Sequence, residues 1–238
     1  MKILVIGSCS GNKKHKLANQ LQKEDFISPE RLRQRTEELS AYKAPAAKMY
    51  TGQQHRYLME GLEQVREIYG QAVVDLHIIS AGYGLLNECD IIVPYDVTFP
   101  KKKREILARS NSLQTPERVE TLIADYELIF FLLGKEYVQA LQLRKKSFRY
   151  SGTTDLIFLL ARTNKKYLPS DLPPNRVVES GKMLANCLKK LNQGVTNYNL
   201  KGFLFKKLCE AVCREGFQVF KEVKRNPQMI RGIALGNR

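Results

Sequence analysis

The chain has 238 residues, 43% of them hydrophobic and 26% charged, a composition that can bury a full core and excludes a disordered chain. Its 39 Lys and Arg against 24 Asp and Glu give a formal net charge of +15, more than solubility requires and suited to a polyanion held through counterion release. No apolar stretch approaches the roughly 18 residues of a membrane span. The short apolar run Ile3 to Ile6 is no signal-peptide core, so the five scattered cysteines (Cys9, Cys89, Cys187, Cys209, Cys213) are expected as reduced thiols of a cytoplasmic protein.

Residues 2–7 are nearly all apolar, as in a strand buried on both faces of a parallel sheet. Residues 8–15 are small, polar and basic and read as a loop. Ser28-Pro29-Glu30 signals a helix start for residues 29–41. Thr51 with Gln54 suggests a capping box, opening a helix that runs to about Tyr69 and stops at Gly70. A second strand is expected over residues 74–80, then a glycine-bearing loop over 81–86 and an apolar strand-like run over 91–96. The basic run 101–104 enters a helix, and Thr115-Pro116-Glu117 opens another. Residues 128–133 form a third strand, turned by Gly134 into a helix through Leu141. Residues 155–161 fit helix or strand equally, and 176–179 a short last strand before a helix to Leu191. This alternation predicts an α/β fold, an open, mostly parallel sheet flanked by helices. Asn192-Gln193-Gly194 suggests a boundary between an α/β domain, residues 1–194, and a basic helical extension, residues 195–238.

Charge is divided unevenly. Residues 1–100 carry 12 basic and 12 acidic side chains, so the whole excess falls in residues 101–238. The expected partner is nucleic acid, DNA in particular, with no membrane involved. Lys101, Lys102, Lys103, Arg104, Lys145, Lys146, Lys206, Lys207, Lys224 and Arg225 are the expected phosphate contacts.

In open α/β sheets ligands sit beyond the carboxyl ends of strands, which singles out residues 8–16 and 80–96. The first segment offers Ser8, Ser10, Asn12, Lys13 and His15 around a flexible glycine, an anion cradle without P-loop spacing. Cys9 there is either a thiolate nucleophile or a small buried residue capping the strand. In the second segment Ser80, Gly82 and Tyr83 precede Tyr95 and Asp96. Tyrosine can stack on a base, while Asp96 is either a general base or a turn cap. The three histidines are widely separated and the Cys209/Cys213 pair lacks further ligands, so neither a metal nor a cofactor is expected.

Four pieces occur in register. They are Ser8-Cys9-Ser10 with Lys13, Ala44-Pro45-Ala46 leading to Met49-Tyr50-Thr51-Gly52, the run Ser80-Ala81-Gly82-Tyr83-Gly84-Leu85-Leu86, and Pro94-Tyr95-Asp96. Gly134 with Tyr137 follows. Together they resemble the YaaA-like superfamily of peroxide-stress proteins and its uncharacterised sister domain, over about 130 residues. The resemblance implies DNA binding by an α/β fold, with similarity to the uracil-DNA-glycosylase-like domain of archaeosine-synthesis enzymes and relatives that occur near systems of 7-deazaguanine modification. The chain departs from uracil glycosylases in lacking the water-activating aspartate in its first loop and a terminal histidine motif. It follows that the expected function is a DNA glycosylase for a modified base, acting in defence against phage with modified DNA. The alternatives are an enzyme modifying a 7-deazapurine through Cys9, and a non-catalytic DNA-binding stress protein. In the leading reading Asp96, Lys13 and His15 carry the chemistry, with Cys9 as a further candidate, and Tyr83 or Tyr95 stacks on the flipped base.

Overall fold

The computed structural model describes residues 1–144, 154–191 and 194–237. Lys145, Lys146 and most of the expected boundary tripeptide lie outside that set. In chain order the elements are β1 (Ile3–Ser8), α1 (Pro29–Glu38), β2 (Ala44–Pro45), α2 (Ala46–Met49), α3 (Gln53–Tyr69), β3 (Val74–Ser80), β4 (Gly84–Asn87), β5 (Ile91–Ile92) and α4 (Lys103–Ser112). There follow α5 (Thr115–Ile123), β6 (Leu128–Leu132), α6 (Lys135–Ala140), β7 (Asp155–Leu160), β8 (Val177–Glu179), α7 (Lys182–Lys190), α8 (Leu200–Glu215), α9 (Gln218–Arg225) and α10 (Met229–Leu235).

Six strands form one sheet in the order β4-β3-β1-β6-β7-β8, parallel throughout except for the edge strand β4. Ile3, Leu4, Val5 and Ile6 of β1 are at most 1% exposed, which is why that strand shows no polar alternation: both its faces are covered by helices. Adjacent residues of β6 show the two sides. Phe130 packs edge-on against Phe205 of α8 and touches Phe220 of α9, while Phe131 stacks on its sheet partner Phe158 at 4.4 Å. The ambiguous segment after residue 154 is therefore strand, chosen by its pairing with β6 rather than by its periodicity.

Three expectations are corrected. Residues 84–87, expected as loop, form β4, because Gly84 at φ +79° lets the chain reverse directly after β3 and pair antiparallel with it. The run 91–96 does not join the main sheet: only β5 is extended, paired with β2 in a separate ribbon. No capping box opens α3, whose N-cap is Gly52 without a side-chain bond. The C-terminal helices pack on the sheet. Leu200, Phe205, Leu208, Phe220 and Ile230 belong to the same hydrophobic core as β1 and β6, because α8 closes a sheet face that α3 covers only in part.

Candidate functional site

Beyond the carboxyl ends of β1 and β3 the chain builds a polar cluster from four segments. The loop after β1 is stitched to its neighbours by backbone bonds: Cys9 N–H donates to Ile79 O (2.9 Å), Lys14 N–H to Met49 O (2.8 Å) and Thr51 N–H to Asn12 O (3.0 Å). Ser10 Oγ donates to Asn12 O (2.6 Å) and accepts from Gly52 N–H (3.2 Å). Further along, Leu21 N–H donates to Pro94 O (3.1 Å) and Asp96 N–H to Leu21 O (2.7 Å). Residues 94–96 thus reach the edge through a bridge to the first loop, and sheet membership plays no part.

The floor is phenolic. Tyr50 Oη and Tyr95 Oη lie 2.8 Å apart, and Ser80 Oγ is 2.8 Å from Tyr95 Oη. Ser80 Oγ already accepts the N–H groups of Gly82 (3.1 Å) and Tyr83 (3.0 Å), so its own proton goes to Tyr95 and the Tyr95 proton is left for Tyr50. Cys9 Sγ lies 3.0 Å from Tyr137 Oη. Burial, then the charge a Cys9 thiolate would carry, push Tyr95, Tyr50 and Tyr137 well above the usual phenol range. Burial pushes Tyr83 up to about 12. All four phenols are hydrogen-bond donors at neutral pH.

Over this floor stands Lys13. Its ammonium is 4.1 Å from the Tyr95 ring centroid and donates to Ser10 O (3.2 Å). Burial holds its pKa below the ordinary lysine value of 10.5, partly offset by Cys9 and Asp96. Asp96 is exposed, and among the described residues no hydrogen bond ties its carboxylate to the turn. Its charge is near enough to Lys13 to favour the ammonium.

The structure thus brings together Ser8, Cys9, Ser10, Asn12, Lys13, Ser80, Gly82, Tyr83, Tyr95 and Asp96 at one edge. His15 stands apart from that group, its ring packed edge-on against Tyr42 at 5.3 Å. The stacking role expected for Tyr95 needs correction: the residue is 0% exposed, so it presents no ring face to a base and acts as hydrogen-bonded floor. Tyr83 is half-buried, held edge-on by Phe26 (5.0 Å) and Tyr95 (5.3 Å). Two floor residues, Tyr50 and Tyr137, had no expected role although both stand in the segments that carry the resemblance. Arg109 went unnoticed altogether. It lies on α4 and donates to Ala81 O and Gly82 O, both at 2.9 Å, clamping the second loop; a single arginine on an otherwise ordinary helix carries no sequence signal of that.

Among the described cavities none is lined by Cys9, Lys13 or Asp96. Among the described residues no group of three or more His, Cys, Asp or Glu clusters as a metal site, and no helix is long and apolar enough to cross a membrane. The five cysteines are unpaired.

Fold and site together define a mostly parallel α/β protein with a lysine-topped, tyrosine-floored polar site at the carboxyl edge of its sheet. The chain belongs to the family of unknown function DUF6884, whose model matches residues 35–154. That span carries Tyr50, Ser80, Tyr83, Tyr95, Asp96 and Tyr137, while Cys9 and Lys13 precede it. No curated protein matches the chain.

Proposed function

We propose that the chain is a DNA-binding enzyme acting on a modified nucleobase as a glycosylase. One observation carries this reading: Lys13, half-buried over the phenolic floor, lies within electrostatic reach of an exposed carboxylate, Asp96. Hydrolysis of an N-glycosidic bond needs those two charges on opposite sides of the sugar carbon. As the C1′–N bond breaks, positive charge grows on the sugar and negative charge on the base. Asp96 stabilises the first and takes a proton from the attacking water, whose oxygen forms the new C1′–O bond. Lys13 stabilises the second and gives the leaving nitrogen its proton, and solvent restores both groups. Residues 101–104, all exposed, supply phosphate contacts next to the site.

The direct experiment incubates purified protein with DNAs bearing different modified bases and measures abasic sites and released bases by mass spectrometry. Asp96→Asn is expected to bind DNA as well as the parent while losing about 100-fold or more in base release, a typical cost of deleting such a contribution. Lys13→Ala should lose less turnover and more affinity. Base release by Asp96→Asn at the parent rate would remove Asp96 from the mechanism.

Two specific observations favour other readings. The 3.0 Å approach of Cys9 to Tyr137 suits a covalent role in modifying a deazapurine, with the phenol as acid; loss of all turnover in a folded Cys9→Ser would select it. The exposed cations of residues 101–104, which need only grip phosphate, suit DNA binding without catalysis. DNA bound normally with no base released from any substrate would select that one.

A further inference from the structure

Between α4 and α6 lies a cavity of about 230 Å³, open to solvent, whose lining includes Lys103 and Leu107 of α4, Gln139 of α6, then Gln142, Arg144 and Tyr167. Its chemistry is unusual for this surface. Gln139 is 7% exposed, and its Oε1 has no hydrogen-bond partner. Rotation about the last side-chain bond presents either end of that carboxamide, a donor pair or an acceptor. Gln142 is 9% exposed and commits Nε2 to Asn111 Oδ1 at 2.6 Å, which leaves its own Oε1 to accept. Its backbone is held at φ +52°, a conformation rare outside glycine that marks functional positions when the surroundings enforce it. Leu107 and the Tyr167 ring supply apolar and aromatic wall. Lys103 and Arg144 are exposed cations at the rim, and Arg144 is steadied by Nη1 donating to Lys166 O at 3.0 Å.

A planar heterocycle with polar edges, joined to an anion, satisfies all of these groups at once. The carboxamides read a base edge, as glutamine does with adenine; the aromatic and apolar walls cover its face; the two cations take a phosphate. The volume admits one base. We propose that this cavity is a nucleotide-binding pocket that takes the base and phosphate of a nucleoside monophosphate unit. The inference goes beyond the glycosylase reading and does not need it. The two sites are nonetheless neighbours: Tyr137 of α6 touches Cys9, and Phe99, four residues before Lys103, packs edge-on against Tyr137 at 5.2 Å.

The test is calorimetric titration of the full chain with the four deoxynucleoside monophosphates, the matching nucleosides and inorganic phosphate. At least one monophosphate should bind with a Kd of about 0.1 mM or better, tighter than its nucleoside and tighter than phosphate alone. Arg144→Ala and Lys103→Ala should each raise that Kd about tenfold. Gln139→Leu, which keeps the volume and removes the unpartnered oxygen, should fold normally and reduce discrimination among the four bases. A single-stranded oligonucleotide that displaces the monophosphate identifies a nucleotide within a strand as the ligand, and failure to displace it identifies the free nucleotide. No binding by any monophosphate up to about 5 mM overturns the proposal. So does binding that phosphate alone matches and Gln139→Leu leaves unchanged. Because the readout is binding, a failure of base release at Asp96 leaves this result standing.

Discussion

In the proposed reaction Lys13 protonates the leaving base, and its environment predicts a pH dependence. Burial holds its pKa below 10.5, so the ammonium is lost earlier on an alkaline titration than an ordinary surface lysine would lose it. If the charged form assists base departure, turnover falls on a limb centred below 10.5. Lys13→Arg, which keeps its charge, should move that limb upward, and a pH–rate profile of both proteins reads it directly. The sign for stability is opposite. Between the lowered native value and 10.5 the unfolded chain holds a proton that the folded chain has released, so the Lys13 contribution to stability rises with pH. Lost turnover in that window is therefore lost charge, with the structure intact. Lys13, Cys9 and Asp96 were legible as candidates because short polar segments after apolar runs stand out. The burial of Tyr95 was not, since a Pro-Tyr-Asp turn has the same letters whether its ring points in or out.

At the scale of elements, the packing of α3 against α8 decides whether one sheet face closes. Gly202 of α8 lies so close to α3 that a Cβ there would overlap the Gln54 backbone oxygen. Gly61 of α3 faces Lys206 Cα at 2.9 Å in the same way. Alanine at position 202 gains about 1 kcal/mol in helix propensity, yet the clash is with backbone that cannot rotate away and costs about 3 kcal/mol. The clash wins. Gly202→Ala should be net destabilised by about 2 kcal/mol, read as a lower midpoint in urea unfolding with an unchanged slope. The apolar spacing of both helices predicts that they form; it does not say that two glycines let them approach each other.

Over the whole molecule, the basic excess is split between two uses. Lys206 pairs with Glu60 (2.6 Å) and Lys207 with Glu210 (2.7 Å). Lys224 faces Asp155 (3.4 Å) and Glu127 (3.9 Å) at the amino edge of the sheet, with Arg225 lining the same hollow. Each of these three lysines thus has an acidic neighbour. Of Lys101, Lys102 and Arg104, all exposed, Lys102 has the weak neighbour Glu105 at 3.6 Å. Replacing those three with alanine should reduce the salt slope of DNA binding by roughly 2–3, while Lys206→Ala with Lys207→Ala leaves it unchanged. Deleting residues 195–238 would strip α8 and α9 from Phe130 and its neighbours. That truncation should show no cooperative thermal transition by circular dichroism, and a stable, cooperatively melting product would show that the tail is a separate unit after all.

What the sequence determined by itself was periodicity and order: an apolar run is a buried strand, a Gly stops α3, and alternating runs make a parallel sheet whose ends hold the polar loops. Those are local properties, decided within a few residues by backbone geometry and solvent. The tertiary structure alone decided pairings such as that of Lys206 with Glu60, which are far apart in the chain. It also decided that residues 155–160 are strand, through pairing with β6, and that the last helices belong to the core. Above all it decided that Tyr50, Tyr95, Tyr137 and Cys9 meet under Lys13, because their convergence is set by how four loops pack at one sheet edge.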